Sequence, residues 1–307
     1  MASVLKEAGP ERLPIGEETS RRSYWHKLMS HPFFWPGAIL VLLVICVAVF
    51  APEIAQRPYW QIYPNTGLSA TGGPLPPQWT TKGFLLGTDQ LGRDVFSRLV
   101  WAARISLQVG IFASVISGIV GIAIGLASGY LGGWIDMVLM RFTDMMMGFP
   151  ALFFLILLMT LLSPSVEIMY VTMGLLGWTS IARFTRGQVL TVKEEAYVGA
   201  ARACGDGPLR ILLRHILPNI ITPVVVLVSM SISGNIIYES TLSFLGIGVP
   251  TPIPSWGKMV SAGLSYLYVS PSLVIFPILA ISLTTIGFNL LAEAFNATAN
   301  PRGAHHG

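Results

Sequence analysis

The sequence is poor in charge. Asp, Glu, Lys and Arg make up 11% of its 307 residues, against about 25% in ordinary globular chains. A soluble protein of this length could not cover its surface with so few. Only two cysteines occur, Cys46 in an apolar run and Cys204 in a charged one, which leaves little room for a disulfide framework or a Cys-rich metal centre. The five histidines, His26, His31, His215, His305 and His306, offer no i, i+4 metal pair. A G-x-x-x-x-G-K-S/T phosphate loop is missing. What is abundant is apolar: hydrophobic residues reach 53% and the mean hydropathy is +0.65. That excludes intrinsic disorder and points to a polytopic membrane protein. The net charge of +4 is too small to read as nucleic-acid affinity.

Charge-free stretches serve as a ruler, because a spanning helix needs about 20 predominantly apolar residues. They predict six transmembrane helices, near 33–53, 105–130, 138–162, 168–190, 217–243 and 272–293. The window 58–81 is also free of charge, but Pro58, Pro64, Pro74, Pro76 and Pro77 make it a loop, since its backbone groups could not be satisfied in lipid. The expected organisation is a tail over 1–32, a first span over 33–53, an outer loop over 54–104, a core over 105–296 and a tail over 297–307. With the N-terminal tail inside, the inner segments hold 13 of the 19 Lys and Arg, Arg302 among them. The bias predicts both termini in the cytosol.

One segment differs from the rest. Residues 183–218 carry six basic and three acidic residues. Helix formers run from Lys193 to Cys204, Gly205-Asp206-Gly207 breaks them, and Pro208 suits the first turn of a new helix. Two short helices joined by a glycine turn are predicted to project into the cytosol. A connector needs only a few residues, so the size of the segment, bounded at 191–217, favours docking of a soluble partner.

Here a family resemblance appears. Gly199-Ala200-Ala201-Arg202-x-x-Gly205-Asp206, followed by His215-Ile216-Leu217-Pro218, resembles the EAA motif of ABC importer permeases, with Gly199 where the family has an acid. Glu194 and Glu195 are near but out of register. Leu86-Gly87-Thr88-Asp89-Gln90-Leu91-Gly92-Arg93-Asp94, Gly129-Tyr130-Leu131-Gly132-Gly133, Ser243-Phe244-Leu245-Gly246, Pro254-Ser255-Trp256-Gly257 and Asn300-Pro301-Arg302 are similar to motifs of the oligopeptide, dipeptide and nickel branch, in the same order. The chain looks most like the "C"-type subunit of the peptide systems.

The resemblance implies an all-α, type I ABC importer permease fold in a bacterial cytoplasmic membrane. It implies a non-catalytic translocation subunit with no cofactor of its own. ATP and Mg would belong to two cytosolic ABC ATPase subunits, a second homologous permease would complete the pathway, and an extracytoplasmic solute-binding protein would deliver peptide. No nucleic acid is implied; membrane lipid surrounds the chain. Coupling would fall to Gly199, Ala200, Ala201, Arg202, Gly205, Asp206, His215, Leu217 and Pro218.

Individual residues invite further expectations. Glu239 follows a long apolar run near the outer end of the fifth span, where a carboxyl faces a pathway or a permease interface, or else water. Arg141 and Asp144 are three apart, so an ion pair on one helical face is expected, with a pathway role the alternative. Asp89, Arg93 and Asp94 read as a fixed turn, because two carboxylates make a poor metal site. Glycines at 110, 118, 121, 125 and 129 form a ridge for close helix packing. Trp101, Trp134 and Trp256 read as interfacial anchors. A self-contained channel or secondary transporter would leave the cytosolic loop unexplained, and a nickel-chelate importer of the same branch is a further alternative. An intramembrane protease on Ser265 lacks a base, since only His305 and His306 follow it.

Overall fold

The computed structural model describes residues 25–77, 83–162 and 165–299. Most of the expected N-terminal tail, and Asn300-Pro301-Arg302 with the rest of the C-terminal tail, lie outside the described residues. Among the described residues the chain is helical, apart from two isolated bridges in the long loop, Leu68 with Pro74 and Thr88 with Asp94. The elements are α1 (Phe34–Val49), α2 (Ala51–Ile54), α3 (Val95–Leu131), α4 (Gly133–Met147), α5 (Ala151–Leu161), α6 (Val166–Val192), α7 (Ala196–Ala203), α8 (Pro208–Phe244), α9 (Trp256–Gly263) and α10 (Ser272–Ala299).

Helices α3, α8 and α10 are each long and apolar enough to cross a bilayer, and α4 with α5 makes a fourth if that pair, bent by 84°, is one span. The 16 residues of α1 are apolar but reach only about 24 Å. The 27 residues of α6 are long enough, yet include Glu167, Arg183 and Arg186.

Helix α3 lies along α6, and α8 packs against both; α10 packs on α8, and α1 on α10 and α3. The α3–α6 contact is built on the predicted glycine ridge. A Cβ on Gly125 would stand 2.5 Å from Thr185 Cβ and 2.6 Å from the Ala182 carbonyl oxygen, so only hydrogen lets the backbones approach this closely. Apolar side chains also cover the outside: Trp35, Ile39 and Leu42 on α1, Phe153 and Leu161 on α5, and Leu279 on α10 are all exposed. So much unpaired apolar surface suits lipid or partner helices rather than water.

The structure differs from the expected elements in three places. Helix α3 begins at Val95, ten residues before the span expected from 105, because the Asp94 carboxylate caps it, accepting from the Ser97 N–H at 2.9 Å. The single span expected over 138–162 is broken between Met147 and Ala151. Pro150 has no N–H to donate and disfavours helical backbone at Phe149. The second of the two short cytosolic helices is no separate element. Pro208 opens it, as predicted, but it runs on through a π-helical stretch at Ile211–Ile216 into the rest of α8.

Candidate functional site: the helix and turn at 196–210

Helix α7 projects from the end of the bundle where α6 stops and α8 begins. Its anchor is Val198, fully buried in a cluster with Leu126, Val189, Ile211, Ile216 and Ile220. The remaining face is bare: Tyr197, Gly199, Ala200, Arg202 and Ala203 are exposed, and Ala201 is half-buried. Nothing lies within 4 Å of where a Cβ on Gly199 would stand. The helix thus has one apolar anchor and an exposed face of mostly small residues, with Tyr197 and Arg202 the two large side chains on it.

The turn after α7 is rigidly specified. Gly205 has φ +87°, which glycine adopts without strain. The Asp206 N–H donates to the Ala201 carbonyl and the Gly205 N–H to the Arg202 carbonyl, both at 3.1 Å, the paired bonds of a Schellman ending. Asp206 then ties the turn to α8. Arg210 Nη1 donates to Asp206 Oδ1 at 3.1 Å, and His215 Nε2 lies 3.1 Å from Asp206 Oδ2. Those two bonds, Arg210's first, hold the Asp206 carboxyl below the usual carboxylate range. His215 is thus part of the clamp that fixes the turn.

Leu217 is half-buried and Pro218 exposed where the π-helical stretch meets the body of α8. Pro218 has no N–H for the Arg214 carbonyl. Asn219 Nδ2 meanwhile donates to the His215 carbonyl at 2.6 Å. Proline and side-chain bonding together mark this as the irregular part of the helix, and π-bulges concentrate at functional positions.

Charged side chains lash α7's base to the bundle. Arg186 on α6 holds Asp136 on α4 through two bonds of 2.6 Å, and Ser128 donates to the same carboxylate. Lys193 Nζ donates to the Gly129 carbonyl at the end of α3 at 3.2 Å. The expected Arg141–Asp144 pair does not form. Asp144 is taken instead by Arg183 of α6, at 2.5 Å, because α4 faces α6 with the side that carries Asp136 and Asp144.

Glu239 is not open to a pathway or to water. It is fully buried in the seam between α3 and α8, where Ser106 Oγ donates to Oε2 at 2.8 Å and Ser243 Oγ to Oε1 at 2.7 Å. It cross-links two helices inside this chain. Trp256 is likewise buried rather than interfacial, its Nε1 donating to the Leu99 carbonyl at 3.1 Å. Trp134 is exposed, as an anchor requires. Asp89, Arg93 and Asp94 do form a fixed turn: Asp89 Oδ1 accepts from the Leu91 and Arg93 N–H groups at 2.9 and 3.0 Å. Among the described residues no cluster of three His, Cys, Asp or Glu could hold a metal.

Sequence reasoning assigned no site role to Val198, Asp136, Arg186 and Lys193. The first could have been found as the lone branched apolar residue in a run of alanine and glycine. The pairings of the others link different helices and left no local signal.

Residues 121–303 match the family described as the binding-protein-dependent transport system inner membrane component. The dipeptide transport system permease protein DppC of Alkalihalophilus pseudofirmus is 35% identical over 98% of this chain and 97% of its own length. The oligopeptide transport system permease protein OppC of Haemophilus influenzae is 36% identical over 92% of this chain and 89% of its own length. The glutathione transport system permease protein GsiD of Shigella dysenteriae is 34% identical, covering 97% of this chain and 96% of its own length.

Proposed function

The chain belongs to the binding-protein-dependent transport system inner membrane components, and we propose that it is the permease subunit through which an ATP-driven importer passes small peptides. Such a protein is a multi-pass component of the inner membrane, and its relatives are permeases of dipeptide, oligopeptide and glutathione systems. In this reading the chain crosses the membrane six times with both termini in the cytosol. The fourth crossing is α6, with its arginines at the inner edge, and the third is the bent α4–α5 pair.

ATP hydrolysis belongs to two partner subunits, and this chain carries no covalent chemistry. A second permease covers the exposed apolar faces, and a solute-binding protein meets the loop between α2 and α3. The surface formed by Gly199, Ala200, Ala201, Arg202, Gly205 and Asp206 seats in a groove of an ATPase subunit. Because α7 sits between the last turn of α6 and the first of α8, a push on it is delivered to both spans at once. Nucleotide binding gates the pathway only if it favours one arrangement of those spans over the other. The links from Arg186 to Asp136 and from Lys193 to Gly129 extend the same push to α4 and α3.

The observation that carries this reading is the single-anchor geometry of α7: one fully buried residue, Val198, under an exposed face of mostly small side chains beside Tyr197 and Arg202. It is tested by Gly199→Trp. The isolated chain has open space at that position, so insertion and thermal stability are expected to be unchanged, while ATPase subunits fail to copurify. Normal copurification and uptake in that variant would remove the docking assignment.

A further inference from the structure

At the opposite end of the bundle from α7, the Asp89 turn, the start of α3 and α9 enclose a cavity of about 180 Å³. Four charged residues line it: Asp89, Arg93, Arg98 and Lys258. Asp89 is the one carboxylate. Arg93 Nε donates to Asp89 Oδ2 at 2.7 Å, and Arg98 Nε stands 3.4 Å from the same oxygen. Lys258 has no carboxylate; its Nζ donates to the Val249 carbonyl at 3.2 Å. Three cations thus share one anion, leaving about two units of positive charge uncompensated in a largely buried place. Burial first, and Arg98 and Arg93 after it, hold the Lys258 ammonium below its usual pKa range.

Buried like charges are costly unless paired; Arg98 also donates to the Tyr59 carbonyl at 3.1 Å and Lys258 to that of Val249, but carbonyls carry no countercharge. A second observation points the same way. Gln90 also lines the cavity, and its side-chain oxygen is buried with no partner among the described residues. Its amide is one polar group too many, and a hydroxyl on a ligand, or the amide turned over to donate, would satisfy it. The remaining wall is apolar, with Met259 and Leu273 among its residues. Trp101, its ring 5.1 Å from that of Tyr59 and tilted against it, lies about one helical turn further along α3 from Arg98.

We propose that this cavity binds a phosphate group, with Arg93, Arg98 and Lys258 as its cationic ligands and Gln90 as its neutral one. Two net positive charges match a phosphate better than a single carboxylate, and guanidinium forks fit its oxygens. The phosphate arrives either on an anionic phospholipid, whose chains would lie on the apolar wall, or as the free ion.

The test is thermal unfolding of the full chain in neutral detergent, with inorganic phosphate titrated against chloride at constant ionic strength. A second arm places the chain in phosphatidylcholine nanodiscs with and without phosphatidylglycerol. Native mass spectrometry counts the phospholipid retained in each. The proposal expects a melting temperature raised by about 3 °C at ten times the dissociation constant, in one arm or the other. A rise with phosphatidylglycerol alone identifies a lipid, and a rise with phosphate alone a soluble ion. Lys258→Met removes the rise and the retained lipid while leaving the Asp89 pairs in place; Arg93→Gln also removes both, at the cost of its own pair with Asp89. Equal protection by chloride, no rise in either arm, or a rise that survives Lys258→Met overturns the proposal.

Discussion

Gly205 stands at φ +87° with nothing within 4 Å of the point a Cβ would occupy. The cost of replacing it is therefore one of backbone conformation and not of collision. A β-branched residue held in that region is strained by about 1–3 kcal/mol, with alanine less strained than valine and asparagine least of all. The chain escapes the strain by letting Gly205 leave the left-handed region, which breaks the Asp206-to-Ala201 and Gly205-to-Arg202 bonds and swings α7 off its Val198 anchor. The docked geometry should then be depopulated about 5- to 150-fold in Gly205→Val. The assay is ATPase activity of the reconstituted importer stimulated by loaded solute-binding protein, measured beside copurification of the ATPase subunits. Stimulation should fall in the order asparagine, alanine, valine, and far more steeply than the melting temperature of the isolated chain, which a strain of about 1–3 kcal/mol lowers by several degrees. Three variants that stimulate equally, or a ranking that follows side-chain size instead of left-handed propensity, would refute the reasoning.

Further outcomes follow from other contacts. Glu239→Leu should strand the Ser106 and Ser243 hydroxyls, costing about 1–3 kcal/mol for each that finds no other partner. Glu239→Gln, which keeps one oxygen acceptor, should cost much less; thermal unfolding in detergent separates the two, and equal effects would contradict the seam placement. Gly125→Leu should abolish folded protein by fluorescence-detected gel filtration, because Thr185 and the Ala182 carbonyl already occupy the space. Gly187→Ala, with nothing within 4 Å, should stabilise by about 0.5–1 kcal/mol.

The Asp206 carboxyl is held low in the folded protein, so its contribution is present above the ordinary carboxylate range, near pH 4, and is lost as pH falls through the lowered value. A spin label on Cys204 should report an immobile turn from pH 8 to 5 and a looser one only at greater acidity. Asp206→Asn should abolish that dependence. A transition centred near neutral pH would contradict it.

Much of the architecture was legible because it is written in short-range signals. Charge-free runs located α3, α8 and α10, glycines at three- and four-residue spacing announced the contact with α6, and Gly205 followed by Pro208 marked the turn. The motif order from Leu86 to Arg302 pointed to the family without any knowledge of the fold. What stayed hidden depends on which faces meet. Glu239 and Ser106 are 133 residues apart, so a buried carboxyl looked from the sequence like one facing a pathway. Asp144 has Arg141 on its own helix as a neighbour, yet Arg183 on a different helix wins it. The bend before α5 was obscured because the residues on either side of it, from Met145 to Leu162, are free of charge, and a charge ruler does not register a proline.

The docking of α7 is tested most directly by the protein's own thiols. Only Cys46 and Cys204 are present, and Cys204 is exposed at the C-terminal cap of α7. In a Cys46→Ser background, a short photoactivatable cross-linker on Cys204 should capture an ATPase subunit of the assembled importer, with a yield that changes when nucleotide is added. Capture of lipid, of the second permease or of the solute-binding protein from that position, with no ATPase adduct, would contradict it.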